Sequence, residues 1–446
     1  MKIVLVNSFV NRFTERDDCC HGFVREKHFP CNLGLLAGLL KEENDVIIVD
    51  GNALELSAEK IREIIKEFNP DVLITNSTFE TIEVDSEIVS GLDCKKICLF
   101  YPYISISSLK EKFKNFDYVP YGLEKELTIQ EIIKGNDKPK GCYTWEDGNL
   151  VKTSPRKNSR IIDYLQKTPY EMFPMKLYDR FFVRSSSGCP FSCTFCEMAR
   201  SGWIPRDVKT VVDELEILRK MYNVREVTFY DPEISINQAH IEDLCNEIID
   251  RKLKICWHAN TRADRINEEL VRKMSMSGCI RLAFGVEAWD DFIRNEIVKK
   301  MITRDQIIKA VEVCKKHGVI PVVYMIFGLP MDNGVSIMED IKAVWEMGTP
   351  QFSFNIISPI PGTEIFDWYS RRRMLCNYSD KPVCGRNEDL DINELVNYRK
   401  LAYSIMKPKS LVESLMLLKN VKLINKLLTN DLGITMFKRL LRRLVS

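Results

Sequence analysis

The run Gly188-Cys189-Pro190-Phe191-Ser192-Cys193-Thr194-Phe195-Cys196 sets three cysteines in C-x3-C-x2-C spacing, just after the apolar run Phe181-Phe182-Val183. Three thiolates on one loop can hold three irons of a cubane cluster. Iron–sulfur clusters take four cysteines as a rule, and no fourth stands close to this loop in sequence. A compact group of three therefore leaves one iron open to a small molecule, an arrangement for chemistry. Two other readings stay open on spacing alone. One is zinc with a distant fourth ligand; the other is three reduced cysteines acting as small buried apolar residues.

Working outward, the loop is followed by regular alternation of short apolar runs and helical patterns. Strand candidates are Phe182 to Arg184, Glu226 to Tyr230, Ile255 to Ala259, Arg281 to Phe284, Val322 to Ile326 and Phe352 to Ile356. Helical patterns fall between them at Val208 to Met221, Gln238 to Asp250, Asn267 to Met276, Asp291 to Val298, Thr303 to Lys316 and Val335 to Met347. Six strand–helix units predict a parallel sheet with right-handed crossovers. The ends of such strands, where the cysteine loop also lies, are where α/β barrels place their sites.

Residues 1–135 show a second, separate alternation. Ile3 to Val6, Val46 to Val49, Val72 to Thr75 and Ile97 to Phe100 read as strands, with helices at Leu33 to Lys41, Ala58 to Phe68 and Leu127 to Ile133. Residues 136–180 are mixed and polar, with Gly141, Gly148 and several prolines, and read as a linker. Residues 181–373 carry the six units, and 374–446 read as a mostly helical tail. From Lys419 to Arg443 that tail has seven basic residues and one acid, Asp431, among leucines. Such a helix packs its leucines on its own domain and points lysines at water, or lies on an acidic surface.

Composition bounds the rest. The 446 residues suffice for roughly two to three domains, and a net charge of +1 gives no global argument for nucleic acid or an anionic membrane. No basic stripe with interleaved aromatics marks a nucleic-acid binder. Fifteen cysteines, an odd and scattered count, read as a reducing cytoplasm. No apolar stretch reaches the roughly 18 residues of a transmembrane segment.

The loop, with an aromatic before its last cysteine, resembles the signature of radical S-adenosylmethionine (SAM) enzymes. The resemblance implies a [4Fe-4S] cluster on Cys189, Cys193 and Cys196, with SAM on the open iron and Phe195 beside it. It implies reductive cleavage of SAM to a 5′-deoxyadenosyl radical. Later segments extend the likeness across Phe182 to Leu375. Tyr230-Asp231-Pro232-Glu233 stands where the family contacts the SAM amino group, although Asp-Pro-Glu departs from the commoner Gly-Gly-Glu or paired aspartates. Arg262, in Asn260-Thr261-Arg262-Ala263-Asp264, is placed to meet the SAM carboxylate or to pair with Asp264 or Glu287. Phe284-Gly285-Val286-Glu287 resembles the family's Gly-Val/Ile-Glu, whose carboxylate accepts from ribose hydroxyls. Phe327-Gly328-Leu329-Pro330 matches a segment where backbone at Gly328 approaches adenine. Ser358-Pro359-Ile360-Pro361-Gly362-Thr363 resembles the closing Pro-x-Pro-Gly-Thr.

The first 135 residues resemble the cobalamin-binding domains fused to such barrels. Pro30-Cys31-Asn32-Leu33-Gly34-Leu35 is similar to their first-helix opening, and Asp117-Tyr118-Val119-Pro120-Tyr121-Gly122-Leu123-Glu124 to a later segment. The resemblance implies cobalamin contacts at Ser77, Thr78 and Gly122. Against it stand the missing Asp-x-His-x-x-Gly motif and the segment Leu99-Phe100-Tyr101-Pro102-Tyr103-Ile104-Ser105, where bulky residues replace a usual Gly-Gly. His21 and His28 near Cys19, Cys20 and Cys31, and the pair Cys376 and Cys384, are further candidates for metal.

The expectation is an α/β chain: an N-terminal Rossmann-like parallel sheet of cobalamin-binding type, then a partial (β/α)6 radical SAM barrel and a helical C-terminal tail. Its expected activity is cobalamin-dependent methyl transfer to an unactivated carbon. The alternatives are a cobalamin-independent cyclisation, rearrangement or oxidation, and a non-enzymatic iron–sulfur or zinc sensor. A small-molecule or peptide substrate and a flavodoxin- or ferredoxin-type electron donor are the partners implied.

Overall fold

The computed structural model describes residues 1–10, 13–15, 22–24, 26–100, 107–159, 162, 167–378 and 381–418. The chain divides into two compact units. One is Met1–Gly188 with Ser201–Glu214, the other Cys189–Arg200 with Leu215–Ser446.

In the first unit, Ile3, Val4, Leu5 and Val6 are all fully buried, as a strand covered on both faces requires. Their strand, Lys2–Asn7, pairs in parallel with Asp45–Asp50 on one side and Val72–Ser77 on the other. The seven-stranded sheet continues through Lys95–Phe100 and Tyr118–Pro120. The four predicted strands all lie in it. Helix Cys31–Leu40 buries nearly every residue, with Leu33, Leu36 and Leu40 in the core beside Ile3, Leu5 and Ile74. Helix Ala58–Phe68 is amphipathic instead. Ser57 caps its start by accepting from the Lys60 N–H, and Asn69 ends it in the left-handed conformation. Because the first strand lies between the second and third, a switch of direction falls beside it, where open α/β sheets leave a crevice at the strands' carboxyl ends.

The stretch expected as a linker contributes two further strands to this sheet. Cys142–Glu146 pairs antiparallel with Tyr118–Pro120, and Asn149–Lys152 with Cys142–Glu146. Asp147 and Gly148 join them with φ of 49° and 73°, the backbone of a tight hairpin turn, which an Asp-Gly pair favours.

The second sheet has six strands in sequence order: Phe182–Val183, Glu226–Phe229, Cys256–Thr261, Cys279–Glu287, Ile320–Phe327 and Gln351–Ile356. From Glu226 onward every pairing is parallel. Helices occupy the intervals, and sequence marks their starts. Asn237, Asn267, Thr303 and Asn333 each accept a backbone N–H of the first turn. On the helix-facing side of the sheet, Phe229 meets Trp257 edge-on at 5.3 Å, both fully buried. One interval departs from expectation. Where an α-helix over Asp291 to Val298 is predicted, a π-turn covers Ile293–Ile297, and the Val298 N–H donates five residues back to Ile293 O at 2.9 Å.

Beyond the sheet, Leu375–Tyr378 and Lys381–Gly385 form an antiparallel hairpin, and helix Ile392–Leu418 follows. The basic stretch Lys419 to Arg443 lies outside the described residues, and so do Cys19, Cys20, His21 and Tyr101–Ser105 apart from the strand that precedes them. Among the described residues no helix is long and apolar enough to cross a membrane.

Candidate functional site

The cysteine loop begins from a glycine that no other residue can replace. Gly188 has φ of 86°, and a Cβ there would lie 2.5 Å from the Gly202 carbonyl oxygen. The loop then folds on itself: Cys196 N–H donates to Cys193 O at 3.1 Å, Ala199 N–H to Cys196 O at 3.2 Å, and Arg200 N–H to Phe191 O at 2.8 Å. Thr194 fastens it to the rest of the second unit. Its N–H donates to Val298 O at 3.0 Å, its hydroxyl to Ile297 O at 2.9 Å, and its carbonyl accepts Ile365 N–H at 3.1 Å. Phe195 packs against an apolar cluster of Ala288, Ile293, Val298, Ile326 and Leu329.

None of the three cysteines is in a disulfide; Cys193 is buried and the other two are half-buried. Burial pushes the Cys189 thiol up to about 11, reinforced by Cys193 and Glu233 and opposed by Lys300. Burial also raises Cys196, and both Cys193 and Cys189 add to that. Among the described residues, no three His, Cys, Asp or Glu side chains are grouped to hold a metal ion. A cubane asks something different, three thiolates spread over three irons. This donor set, three thiols on one loop with a buried ammonium nearby, suits a cluster of net negative charge.

The strand ends bring the other predicted residues to the same unit. Asp231 and Glu233 are buried and Tyr230 half-buried. Glu233 Oε1 accepts from Ser235 N–H at 2.8 Å and from the Thr261 hydroxyl at 3.0 Å. Its Oε2 is buried with no hydrogen-bond partner, and burial raises its pKa against the pull of Ser235, Thr261 and Arg262.

Arg262 pairs with Asp264, one of the partners expected for it. It forms a fork with Asp264 at 2.9 and 3.2 Å, donates to Lys300 O at 2.7 Å, and lies 3.9 Å over the Phe191 ring. Glu287 ends its strand past a register shift at φ 70°, a conformation rare for a side chain with a Cβ and typical of functional positions. Its Oε1 accepts from Lys300 Nζ at 2.8 Å. Gly328, at φ 83°, donates its N–H to Asp332 Oδ2 at 2.9 Å and accepts the Tyr369 hydroxyl.

Sequence reasoning missed Lys300. Its only signal is a lysine pair, Lys299-Lys300, set between apolar Val298 and Met301.

The first unit holds its own polar cluster at the ends of strands Lys2–Asn7 and Val72–Ser77. Ser77, fully buried, lies 2.8 Å from the Thr75 hydroxyl. Thr78 is fully buried, and its Oγ1 has no partner, as also the Oδ1 of Asn7. Asn7 donates to Asp50 at 2.8 Å, and Thr81 to Asp85 at 2.7 Å. Gly122 has φ of 89° and open space where a Cβ would sit. Unsatisfied buried acceptors at a strand-end crevice fit a polar ligand group there.

Among the described residues the remaining metal candidates form no group of three ligands. His28 packs 5.1 Å from the Phe182 ring, and Cys31 is buried at the start of its helix. Cys376 stands opposite Cys384 across the C-terminal hairpin.

Residues 183–344 match the Radical SAM superfamily. Over 366 residues the chain is 28% identical to the uncharacterized methyltransferase PH0819 of Pyrococcus horikoshii, covering 78% of this chain and 79% of that one. It is 27% identical over 372 residues to the anaerobic magnesium-protoporphyrin IX monomethyl ester cyclase of Rubrivivax gelatinosus, covering 76% of this chain but only 65% of the cyclase. Among solved structures, the radical S-adenosylmethionine methyltransferase TsrM from Kitasatospora setae, with cobalamin and a [4Fe-4S] cluster bound, superposes with a TM-score of 0.69 at 15% identity. That match covers 90% of this chain and 81% of TsrM, a likeness of fold.

Proposed function

We propose that this chain, whose residues 183–344 belong to the Radical SAM superfamily, is an enzyme that cleaves SAM reductively and transfers a methyl group with the help of cobalamin. The observation that carries the reading is the loop itself. Cys189, Cys193 and Cys196 stand on one short loop fixed by Thr194, in the same unit as a buried carboxylate with an unused oxygen.

When bound, the cluster and SAM supply an electron and a primary radical able to abstract hydrogen from an unactivated carbon. The chain's own residues prepare for this. The three thiols give up protons to become ligands. Glu233 Oε2 would offer an acceptor for the N–H groups of the SAM amino group, meeting the need of an oxygen left without a partner. Glu287, fixed by Lys300, offers an ionised acceptor for ribose hydroxyls. The Gly328 backbone and the apolar face around Phe195 border the adenine and keep water from the radical. Asp231 and Tyr230 complete the second strand's end, and Arg262 holds the loop through Phe191.

In the first unit, Ser77, Thr78 and Gly122 are the proposed cobalamin contacts, supported by the unsatisfied Thr78 hydroxyl and the open space at Gly122. Bound cobalamin would supply the methyl carrier. The methyltransferase name of the Pyrococcus relative and the cobalamin in TsrM support this reading. The cyclase relative favours a second one, a radical cyclisation or oxidation without methyl transfer. A small molecule or peptide as substrate, a flavodoxin- or ferredoxin-type donor and a cytoplasmic setting complete the proposal.

Anaerobic reconstitution with iron and sulfide, then dithionite and SAM, is the test. Wild type should form 5′-deoxyadenosine and Cys193→Ala should not. Zinc uptake without iron would sink the enzyme reading. Titration with hydroxocobalamin separates the two reactions: a tightly held corrin spectrum favours methyl transfer, and none favours the cyclase-like alternative.

A further inference from the structure

Lys300 lies outside every motif read from the sequence, and its backbone setting is unusual. Its neighbours Lys299 and Met301 hold φ of 58° and 57°, left-handed conformations that residues with a Cβ seldom adopt. The same segment carries the two carbonyls, Ile297 O and Val298 O, that anchor Thr194 between the second and third cysteines. A π-turn over Ile293–Ile297 immediately precedes it. Lys300 is thus held inward on backbone tied directly to the cysteine loop.

Its side chain is 9% exposed and Glu287's 7%, with Nζ 2.8 Å from Oε1. Gly285 makes room for the pair. A Cβ there would collide with Glu287 Oε1 and lie 2.6 Å from Lys300 Nζ. The φ of Gly285 is not among the positive ones, so space alone asks for glycine. Burial opposes the charge on Lys300, and Glu287 and then Cys193 more than restore it, leaving its pKa above that of an ordinary lysine. A buried ion pair contributes little net stability, since desolvating two charges offsets their attraction. The segment that carries Lys300 is instead bonded to Thr194, the residue that follows Cys193.

We propose that Lys300 is a positioning residue of this site: its ammonium fixes Glu287 as an acceptor for the nucleoside and adds a buried positive charge on the segment bonded to the cysteine loop, making the cluster easier to reduce. The inference rests on the reading of the cysteine loop as a cluster site. Adding an electron to a group ligated by thiolates builds negative charge, and a fixed cation in a water-poor site stabilises it.

Three variants test it on the full-length chain after anaerobic reconstitution. The readouts are iron content, the cluster's midpoint potential by EPR-monitored titration, and SAM binding by equilibrium dialysis. Lys300→Met should retain iron yet lower the reduction equilibrium at least tenfold, about 59 mV for a one-electron couple, and weaken SAM binding tenfold or more. Lys300→Arg should restore the potential. Gly285→Ala keeps both charges but forces them apart, so SAM binding should weaken while the potential stays near that of wild type. Unchanged potential and affinity in Lys300→Met overturn the proposal, as does a loss of potential that Lys300→Arg leaves unrestored. Should Lys300→Met not fold, Gly285→Ala decides: SAM affinity equal to wild type overturns it. A wild-type chain that takes up no iron removes the parent reading, and this one with it.

Discussion

The Thr194 hydroxyl donates to the Ile297 carbonyl at 2.9 Å, while the Thr194 N–H holds the next carbonyl, Val298 O, at 3.0 Å. One residue between two cysteines thereby grips two consecutive peptide groups of a different loop. Replacing Thr194 by Val keeps the shape and removes one of these bonds. A net cost of about 1 kcal/mol follows from a lost hydrogen bond, rising if Ile297 O is left dry. Iron retained after gel filtration should fall in Thr194→Val, and unchanged retention would show that the backbone bonds alone hold the loop.

Loading the cysteines should depend on pH in a defined direction. Burial holds the Cys189 thiol near 11 and raises Cys196 as well, so both are protonated in the empty protein at neutral pH. Iron must displace those protons. Apparent iron affinity should rise steadily as pH is raised from about 7 to about 9, with proton release seen in weakly buffered solution. A flat profile would mean the thiols are already ionised.

Asp332 gives a pH dependence of stability. Burial raises its carboxyl from 3.8 to about 6, despite hydrogen bonds from Ser336 and the Gly328 and Asn333 backbone. The folded protein therefore binds more protons here than the unfolded chain between those values. Stability from this group is greatest below about pH 4 and is lost as pH rises through about 6. The full shift corresponds to about 3 kcal/mol as an upper figure. Asp332→Asn, which keeps an acceptor for Gly328 N–H, should flatten the urea-denaturation midpoint over that window relative to wild type.

Arg206 and Glu214 pair at 2.8 Å in the first unit, 1% and 2% exposed. Glu214 also accepts the Thr168 N–H at 3.1 Å, and Arg206 donates to Arg184 O at 2.7 Å. Arg206→Met strands a buried carboxylate and should cost about 3–5 kcal/mol. Arg206→Met with Glu214→Leu should recover most of that loss in a denaturant titration. Equal destabilisation of single and double variants would show that packing, not charge, matters there.

The first sheet was legible because its central strands are apolar, largely β-branched runs buried on both faces, Ile3 to Val6 being the clearest. The helix starts were legible in Asn237, Thr303 and Asn333. The hairpin over Cys142–Lys152 had its signal too, in Asp147-Gly148, but a polar neighbourhood rich in Gly and Pro hid it inside a presumed linker. Within the site, the cysteines and Glu287 follow from local motifs. Arg262 could not be assigned from sequence, since Asp264 two residues on and Phe191 far away compete for its guanidinium. Lys300 was invisible for a deeper reason. Its inward direction depends on left-handed Lys299 and Met301 and on a π-turn, none of which propensity predicts, and its space depends on a missing methyl at Gly285.

The Thr194 anchor sets a rule for anyone transplanting this motif. A graft of residues 189–200 alone would arrive without its moorings, because the carbonyls that hold it belong to the turn at 297–298. The smallest portable piece is three separate stretches of chain, since the Ile365 N–H, which donates to the Thr194 carbonyl, must travel with the turn at 297–298.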